Sequence, residues 1–254
     1  EFRRVLFRSP MQITVIIPMY NESSVIRQTA KALSDYMEKN FDSYEILFSD
    51  DGSTDGCGDM VREMNLPCVR VTGYEKNRGK GCAVRTAMLE GKGDILMFTD
   101  ADLAYGCDCI KRAYTALSGN PKAGMLIGSR NLGRDGYAGY TGIRKLMSKV
   151  YIKVLCLVGG FRLSDSQCGC KAFRREAAQK IFFACKVDGF AFDFEAILRA
   201  NSEKIGIMEM PVKVINHRES KVRIFRDTFR MLGDLRRIRR DVKQEQKQKQ
   251  KKKA

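Results

Sequence analysis

The strongest chemical signal in the sequence is a pair of aspartates, Asp100 and Asp102, separated by one alanine. They close the apolar run 94–99, which is typical of a buried β-strand. Two carboxylates at a strand end are unfavourable together unless a cation offsets their charge. Hard divalent cations such as Mg²⁺ or Mn²⁺ prefer oxygen ligands and keep positions open for phosphate oxygens. The pair therefore predicts a metal site, with a solvated turn as the alternative interpretation.

Three further polar blocks follow predicted strands or open a helix. They are Pro18-Met-Tyr-Asn-Glu22, Asp50-Asp-Gly-Ser-Thr-Asp55 and Asn77-Arg-Gly-Lys-Gly81. Open α/β sheets bind ligands at the carboxyl ends of their strands, although each block alone could simply cap a helix. The third block has small residues, Arg78 and Lys80 at a helix start, which suits an anion. The glycine spacing of this block matches neither a Walker A loop nor the G-x-G-x-x-G motif of dinucleotide-binding proteins. The mismatch disfavours a dinucleotide-dependent oxidoreductase.

The elements that must position these blocks alternate between strand and helix. Strands are predicted at 12–19, 44–50, 68–72, 94–99 and 123–128, and helices at 23–39, 56–64, 79–91 and 107–118. This alternation predicts an α/β fold, a mostly parallel sheet flanked by helices. Beyond it we expect a helix at about 143–158, a strand-like stretch near 168–173, two helices, a strand near 205–215 and a helix over 224–242.

Composition and charge limit the possible classes of protein. The 254 residues suffice for one sizeable domain, and nine scattered cysteines fit reduced thiols better than a disulfide framework. No apolar run is long enough to span a membrane. We expect residues 1–10 to be a foreign or disordered extension, residues 11–235 to form the domain, and residues 236–254 to be a basic helix end with a disordered Lys/Gln-rich tail.

The net charge of +16 raises the possibility of a nucleic-acid-binding module. Ten Lys/Arg against two acids in residues 236–254 put +8 of that charge in the tail. No aromatic residues interleave with those basic residues, so we expect no nucleic-acid partner.

The four blocks, in this order and spacing, resemble glycosyltransferases of family 2, which have the GT-A fold. The resemblance covers residues 11 to about 235. It implies that Pro18, Tyr20 and Glu22 line the base and ribose of a nucleotide sugar. It also implies that Asp51 accepts a hydrogen bond from the base, and that Lys80, Asp100 and Asp102 face the diphosphate. Asp102 is then the better candidate for a direct metal ligand.

Later blocks narrow the resemblance to the dolichyl-phosphate glucosyltransferases and related polyprenyl-phosphate hexosyltransferases. They are 128–130 (GSR), 165–173 (DSQCGCKAF), 190–195 (FAFDFE), and 220–222 with 226–232. The resemblance implies transfer of a hexose, glucose from UDP-glucose, to a polyprenyl phosphate with inversion at the anomeric carbon. GDP-mannose as donor and a soluble saccharide as acceptor remain alternatives.

The chemistry of the acceptor leads to candidate cations. A phosphate monoester has its second pKa near about 6, so it is largely dianionic at neutral pH and needs no catalytic base. Its binding requires positive charge, for which guanidinium groups have the matching geometry. Arg130, Arg144 and Lys221 are the candidates, and for the last two a solvated surface charge is the alternative.

Four other residues are candidates for contacts with substrate or metal. Gln167 is a possible substrate contact, and so are Asp193 and Glu195, which could equally cap a helix start. His217, the single histidine of the chain, is a possible third metal ligand.

A polyprenyl phosphate lies in a bilayer, so the protein must reach a membrane. The helix at 143–158 and the basic helix at 224–242 combine apolar stripes with Lys and Arg, and such helices bind anionic lipid surfaces. For 143–158, packing on the core is an equal alternative. We therefore expect a peripheral protein at the cytoplasmic face of a membrane, docked through the basic C-terminal helix.

Overall fold

The structure, a computed structural model, describes residues 11–133, 135–216 and 224–251. Within these ranges it does not describe the side chains of residues 144, 224–233, 249 and 250. The expected foreign extension, residues 1–10, therefore lies outside the described residues.

Strands and helices alternate along most of the chain. The strands are β1 (Ile13–Met19), β2 (Tyr44–Asp50), β3 (Val69–Gly73), β4 (Ile95–Phe98), β5 (Ala123–Ser129), β6 (Lys171–Arg174) and β7 (Gly206–Pro211). The helices are α1 (Ile26–Asn40), α2 (Cys57–Glu63), α3 (Lys80–Glu90), α4 (Asp108–Ser118), α5 (Gly142–Gly159), α6 (Arg175–Ala184), α7 (Phe192–Ser202) and α8 (Ile224–Lys251). The first five strands and four helices lie within three residues of their predicted bounds.

One seven-stranded sheet has the order β3-β2-β1-β4-β6-β5-β7. All neighbouring pairs are parallel except those of β6, which runs antiparallel to both β4 and β5. The carboxyl ends of β1, β2, β4 and β5 therefore meet at one edge, together with the start of β6.

Helices cover both faces of this sheet, as a buried parallel sheet requires. In β1, Ile13, Val15 and Ile17 belong to the core beneath α1, α2 and α4, whereas Ile16 belongs to the core beneath α3, α6 and α7. This alternation follows from the two-residue period of a strand. The predicted α/β fold, a mostly parallel sheet flanked by helices, is confirmed.

Helix α8 corrects the expected C-terminal boundary. Instead of ending near residue 242 and continuing as a disordered tail, the helix extends to Lys251. Its apolar residues Leu235, Ile238 and Val242 are at most 5% exposed and belong to the core that contains α7. Residues 235–245 are thus part of the domain. Their apolar side chains are buried against it, and this burial stabilises the helix, whereas a purely polar tail would have no such contacts.

None of the helices in the described ranges is both long and apolar enough to cross a membrane.

Candidate nucleotide-sugar site

The four predicted blocks meet at one edge of the sheet. The register pairs Met19 with Asp50, and it pairs Ile16 with Phe98, so β1, β2 and β4 end side by side. The register of β6 brings Lys171 opposite Phe98 at the same edge. β5 ends at Ser129, so the next residue, Arg130, also lies at this edge of the sheet.

The first two blocks are bound directly to each other. Asn21 donates its backbone N–H to Ser53 Oγ at 3.0 Å, and its Oδ1 accepts from the N–H of Thr54 at 2.9 Å. The N–H of Ser23 donates to Asp55 Oδ2 at 2.8 Å. These bonds across 32 or 33 residues fix the loop after β1 against the loop after β2.

Asp55 should make stability depend on pH in the acid range. Burial acts to raise its pKa, but hydrogen bonds from the N–H groups of Ser23 and Cys57 outweigh burial and lower it from 3.8 to about 2. A depressed carboxyl pKa stabilises the fold above the unfolded value and loses that contribution as pH falls. Wild type should therefore exceed Asp55→Ala in free energy of unfolding by about 1–2 kcal/mol at pH 7. Denaturant titrations should show the gap narrowing between about pH 4 and pH 2; a constant gap would contradict the assignment.

The three residues expected around the base and ribose differ in how far they are exposed at the sheet edge. Tyr20 has 41% of its surface exposed, so part of the residue faces solvent at the edge. Pro18 is buried within β1, which leaves it a role in shaping the strand end. Glu22 is partly buried, and its carbonyl accepts the N–H groups of Val25 and Ile26 at the start of α1.

Asp51 holds a turn together, and its expected hydrogen bond to a nucleotide base stays a prediction. Its Oδ1 accepts from Tyr74 Oη at 2.6 Å and from the N–H of Arg78 at 2.9 Å. Its Oδ2 accepts from Asn77 Nδ2 and from the N–H of Gly79, both at 2.9 Å. A nucleotide base would have to compete with these donors. The buried carboxylate therefore positions the segment that begins α3.

Glycines at the start of α3 allow a second segment to pack on it. A Cβ at Gly79 would lie 2.5 Å from the carbonyl oxygen of Asp188, and Gly79 has a φ of +115°. A Cβ at Gly81 would lie 2.5 Å from the carbonyl oxygen of Val187. The third block is thus the meeting point of α3 with the loop before α7.

Lys80 joins this helix start to the aspartate pair. Its Nζ donates a short hydrogen bond to Asp100 Oδ1. Burial alone would lower the pKa of Lys80, but the charge and hydrogen bond of Asp100, with the charges of Asp193 and Asp102, together outweigh burial and raise it. The lysine therefore remains a cation beside the carboxylates, where a diphosphate would also need one.

The protein compensates the negative charge of Asp102 only in part, through the charge of Lys80 and one backbone N–H. The pKa of Asp102 is raised, first by burial and then by the charge of Asp100, with a smaller contribution from Glu22. The N–H of Ala104, which donates to Asp102 Oδ1 at 3.0 Å, opposes that shift. Excess negative charge on hard oxygen atoms fits a divalent cation. The described residues contain no cluster of three or more His, Cys, Asp or Glu that could complete a metal site on its own.

Gly169 makes room for the Asp100 carboxylate. A Cβ at position 169 would lie 2.0 Å from Asp100 Oδ2, so Gly169→Ala should displace that side chain. We expect transfer activity to fall about a hundredfold, because small displacements of positioned groups have such effects. Overpacking should lower the free energy of unfolding by about 1–3 kcal/mol. Steady-state rates and thermal melts measure both effects.

The matched control is Gly142→Ala, where a Cβ would meet nothing within 4 Å. This variant should keep wild-type activity. Equal rates for the two variants would mean that Gly169 does not position Asp100.

A buried ion pair that the sequence did not predict lies beneath the aspartates. Lys171 is fully buried, and its Nζ lies 2.7 Å from Asp193 Oδ1. The same Nζ donates to the carbonyl of Cys168 at 2.6 Å and lies 5.5 Å from the ring centre of Phe98. Burial raises the pKa of Asp193, and Lys171 opposes that shift. Asp193 therefore holds Lys171 in place at the start of β6, next to the end of β4.

Arg130 forms a second buried pair. Its Nε and Nη2 donate to the two carboxylate oxygens of Asp165 at 2.6 and 3.0 Å. The guanidinium also lies 5.2 Å from the ring centre of Tyr137. Asp165 thus occupies the Nε and Nη2 side of the guanidinium, and a phosphate would have to approach from the Nη1 side. The expected contact of Arg130 with an acceptor phosphate stays a prediction.

The profile of glycosyl transferase family 2 matches residues 14–182, about two thirds of the chain and all four blocks. The chain belongs to glycosyltransferase family 2. The sequence-based prediction of this family is confirmed.

Relatives of this glycosyltransferase include dolichyl-phosphate beta-glucosyltransferases. The protein of Saccharomyces cerevisiae is 30% identical over 89% of this chain and 74% of its own length. The human protein is 30% identical over 90% of this chain and 75% of its own length.

Solved structures share the fold of this glycosyltransferase at low identity. Mannosyl-3-phosphoglycerate synthase from Rubrobacter xylanophilus has a TM-score of 0.68 and 17% identity, covering 92% of this chain and 75% of that chain. Glucosyl-3-phosphoglycerate synthase from Mycobacterium tuberculosis, solved with Mn²⁺, UDP and glucosyl-3-phosphoglycerate, has a TM-score of 0.62 and 18% identity over 93% and 80%.

In this glycosyltransferase the Glu195 carboxylate has a structural role, and its possible contact with substrate stays a prediction. Its carboxylate is buried and accepts from the N–H groups of Lys186 and Val187 at 2.9 and 2.8 Å. It also accepts from Arg199 Nη2 at 2.7 Å. These donors occupy both oxygens of the Glu195 carboxylate.

Gln167 is partly buried beside Asp165, and its backbone N–H donates to Asp165 Oδ1 at 3.0 Å.

Three predicted residues of the glycosyltransferase cannot be placed. His217 and Lys221 lie outside the described residues, and the side chain of Arg144 is not described. Asn216, which precedes His217, donates from Nδ2 to the carbonyl of Asp102 at 3.1 Å.

Proposed function

We propose that this glycosyltransferase transfers glucose from UDP-glucose to a polyprenyl phosphate of the dolichyl type, with inversion and with a divalent metal ion. The observation that carries the proposal is the position of Asp100, Lys80 and Asp102. They lie at the carboxyl edge between the loops after β1 and β2 on one side and Arg130 on the other. The names of the relatives support glucose and dolichyl phosphate as the substrates.

The donor binds on the side of β1, β2 and α3 in this proposal. Tyr20 supplies an exposed ring for the base, while Pro18 and Glu22 shape the loop that carries it. Asp51 holds the 74–79 turn in place through four donors. Lys80, a cation already paired with Asp100, exchanges part of that contact for the diphosphate.

Asp102, with Asp100, would hold Mg²⁺ or Mn²⁺ when the donor binds. Such an ion neutralises the charge that grows on the departing nucleoside diphosphate. The hydrogen bond from Asn216 to the turn at Asp102 supports His217 as a further ligand. The solved relatives that contain Mn²⁺ favour a divalent ion without distinguishing it from Mg²⁺.

The acceptor phosphate attacks without a base, because it is already largely dianionic at neutral pH. Its charge requires cations, and we assign this role to the Nη1 edge of Arg130, with Arg144 and Lys221 as further candidates. Asp165 fixes the direction of the Arg130 guanidinium. Burial acts to lower the pKa of Arg130, but the hydrogen bonds to Asp165 and the neighbouring charges together outweigh burial and raise it, so the arginine stays charged.

The test is a two-way panel of substrates. Purified protein with Mg²⁺ or Mn²⁺ is given labelled UDP-glucose or GDP-mannose, and either dolichyl phosphate or soluble saccharides. Label should move from UDP-glucose into the lipid-extractable fraction. Transfer from GDP-mannose alone would overturn the donor, and transfer to saccharides alone would overturn the acceptor.

A lipid acceptor also implies a place of action. The proposal puts the enzyme at the cytoplasmic face of a membrane as a peripheral protein. The expected contact through the apolar stripe of α8 does not fit residues 235–242, because their apolar side chains are packed in the core.

A further inference from the structure

Helix α5 presents an apolar stripe to solvent. Ile143, Leu146, Val150 and Leu157 expose between 53% and 79% of their surface, and Met147 exposes 39%. At 3.6 residues per turn these side chains fall within an arc of about 100°. Contiguous exposed apolar side chains of this kind mark interaction sites more often than chance positions do.

The opposite face of α5 holds the helix on the domain. Ile152 and Leu155 are at most 4% exposed, and Leu155 belongs to the core that contains α6, α7 and α8. The sequence left open whether the apolar residues of this helix pack on the core or face a membrane. In the structure the apolar residues of α5 form two separate stripes, one packed on the core and one exposed to solvent.

Basic residues flank the exposed stripe. Lys145, Lys149 and Lys153 are exposed along one side of it, and no acidic residue lies anywhere in Gly142–Gly159. An apolar stripe bordered by lysines matches the interface of an anionic bilayer, in which acyl chains lie beneath negative headgroups. An apolar partner protein would not require this row of charge.

The helix is also tied to the acceptor side of the site. Tyr137 is 7% exposed, and its ring centre lies 5.2 Å from the Arg130 guanidinium and 5.9 Å from Lys145 Nζ. Its hydroxyl lies 3.4 Å from Ser148 Oγ. One ring therefore connects the first turns of α5 to the arginine proposed for the acceptor phosphate.

We propose that α5 docks the enzyme on an anionic phospholipid bilayer, with its apolar stripe in the headgroup layer and its lysines on the lipid phosphates. The link to the acceptor side rests on the proposed function, whereas the docking itself can be measured without any substrate. This surface replaces α8, whose described apolar residues are not available.

The test is flotation of the full chain with vesicles that contain neither donor nor polyprenyl phosphate. Binding to phosphatidylcholine with about one-third phosphatidylserine is compared with binding to phosphatidylcholine alone. The triple variant Ile143→Ser, Leu146→Ser, Val150→Ser should bind at least about tenfold more weakly. The triple variant Lys145→Gln, Lys149→Gln, Lys153→Gln should lose the preference for anionic vesicles.

Matched controls change the same residue types elsewhere. Phe183→Ser removes a side chain that is 86% exposed on α6, and Lys122→Gln, Lys180→Gln, Lys204→Gln removes three exposed lysines. Both controls should bind like wild type, and all variants should melt as cooperatively as wild type. The proposal is overturned if the α5 variants bind normally. It is also overturned if only Lys247→Gln, Lys249→Gln, Lys251→Gln abolishes binding.

A second readout separates this proposal from the proposed function. With dolichyl phosphate in vesicles, the α5 serine variant should transfer glucose at least about tenfold more slowly than wild type. With a short-chain, water-soluble polyprenyl phosphate it should transfer at the wild-type rate. If wild type transfers to neither acceptor, the proposed function fails, and vesicle binding alone decides the docking surface.

Discussion

Asp102→Asn should lower the rate of sugar transfer about a thousandfold, a barrier increase of about 4 kcal/mol. The amide keeps the size of the side chain and removes the negative charge that a divalent ion needs. Initial rates at saturating donor and Mn²⁺ measure the effect. Addition of Mn²⁺ with UDP should raise the melting temperature of wild type and leave that of the variant unchanged.

The same variant should be at least as stable as wild type without metal. The pKa of Asp102 is higher in the folded protein than in the unfolded chain. Ionisation of Asp102 therefore lowers the free energy of unfolding at pH values above the ordinary carboxyl pKa. The amide removes that cost near pH 7. The control is Asp59→Asn, an exposed carboxylate paired with Arg62, which should change neither rate nor metal response. Normal transfer by Asp102→Asn would refute the metal role.

A chain that ends at Asp234 should not fold. It lacks Leu235, Ile238 and Val242, whose burial contributes about 1.5–3 kcal/mol each, a total comparable with the stability of a whole domain. It also lacks Glu245, which pairs with Arg199 and Lys186 at 2.8 Å. We expect circular dichroism to show loss of the cooperative melt.

A chain that ends at Gln246 is the matched control. It retains the buried residues and Glu245, and should melt within a few degrees of the full chain. The single substitution Glu245→Gln should have an intermediate effect, because Arg199 keeps its bonds to Glu195. A folded, cooperatively melting chain ending at Asp234 would show that the part of α8 after Asp234 is dispensable for folding.

Local patterns sufficed to predict the strands that carry the four blocks. Buried strands such as β1 and β4 are short apolar runs, and the polar residues after them mark the sheet edge. The reversed direction of β6 was not predictable, because the sequence of the four-residue strand Lys171–Arg174 carries no information about which strands lie beside it. The buried pair of Lys171 with Asp193 follows from that reversal, since it brings Lys171 opposite Phe98.

Residue roles were harder to predict than residue positions. Arg130 and Asp165 are 35 residues apart, and nothing local indicates that one neutralises the other. For Asp51, the motif identified the correct loop but not the donors of residues 74–79 that fill its carboxylate. The α8 stripe had helical spacing, but spacing alone cannot distinguish a core from a bilayer as its partner.

The reversed strand β6 also separates two continuous stretches of chain. Residues 13–98 form β1 to β4 and the proposed donor side, whereas residues 123–211 form β5 to β7 and the proposed acceptor side. The two halves of the sheet are joined by the four residue pairs between β4 and β6. Under the proposed assignment, substitutions within one continuous stretch of chain alter the site for one substrate and leave the residues for the other substrate unchanged.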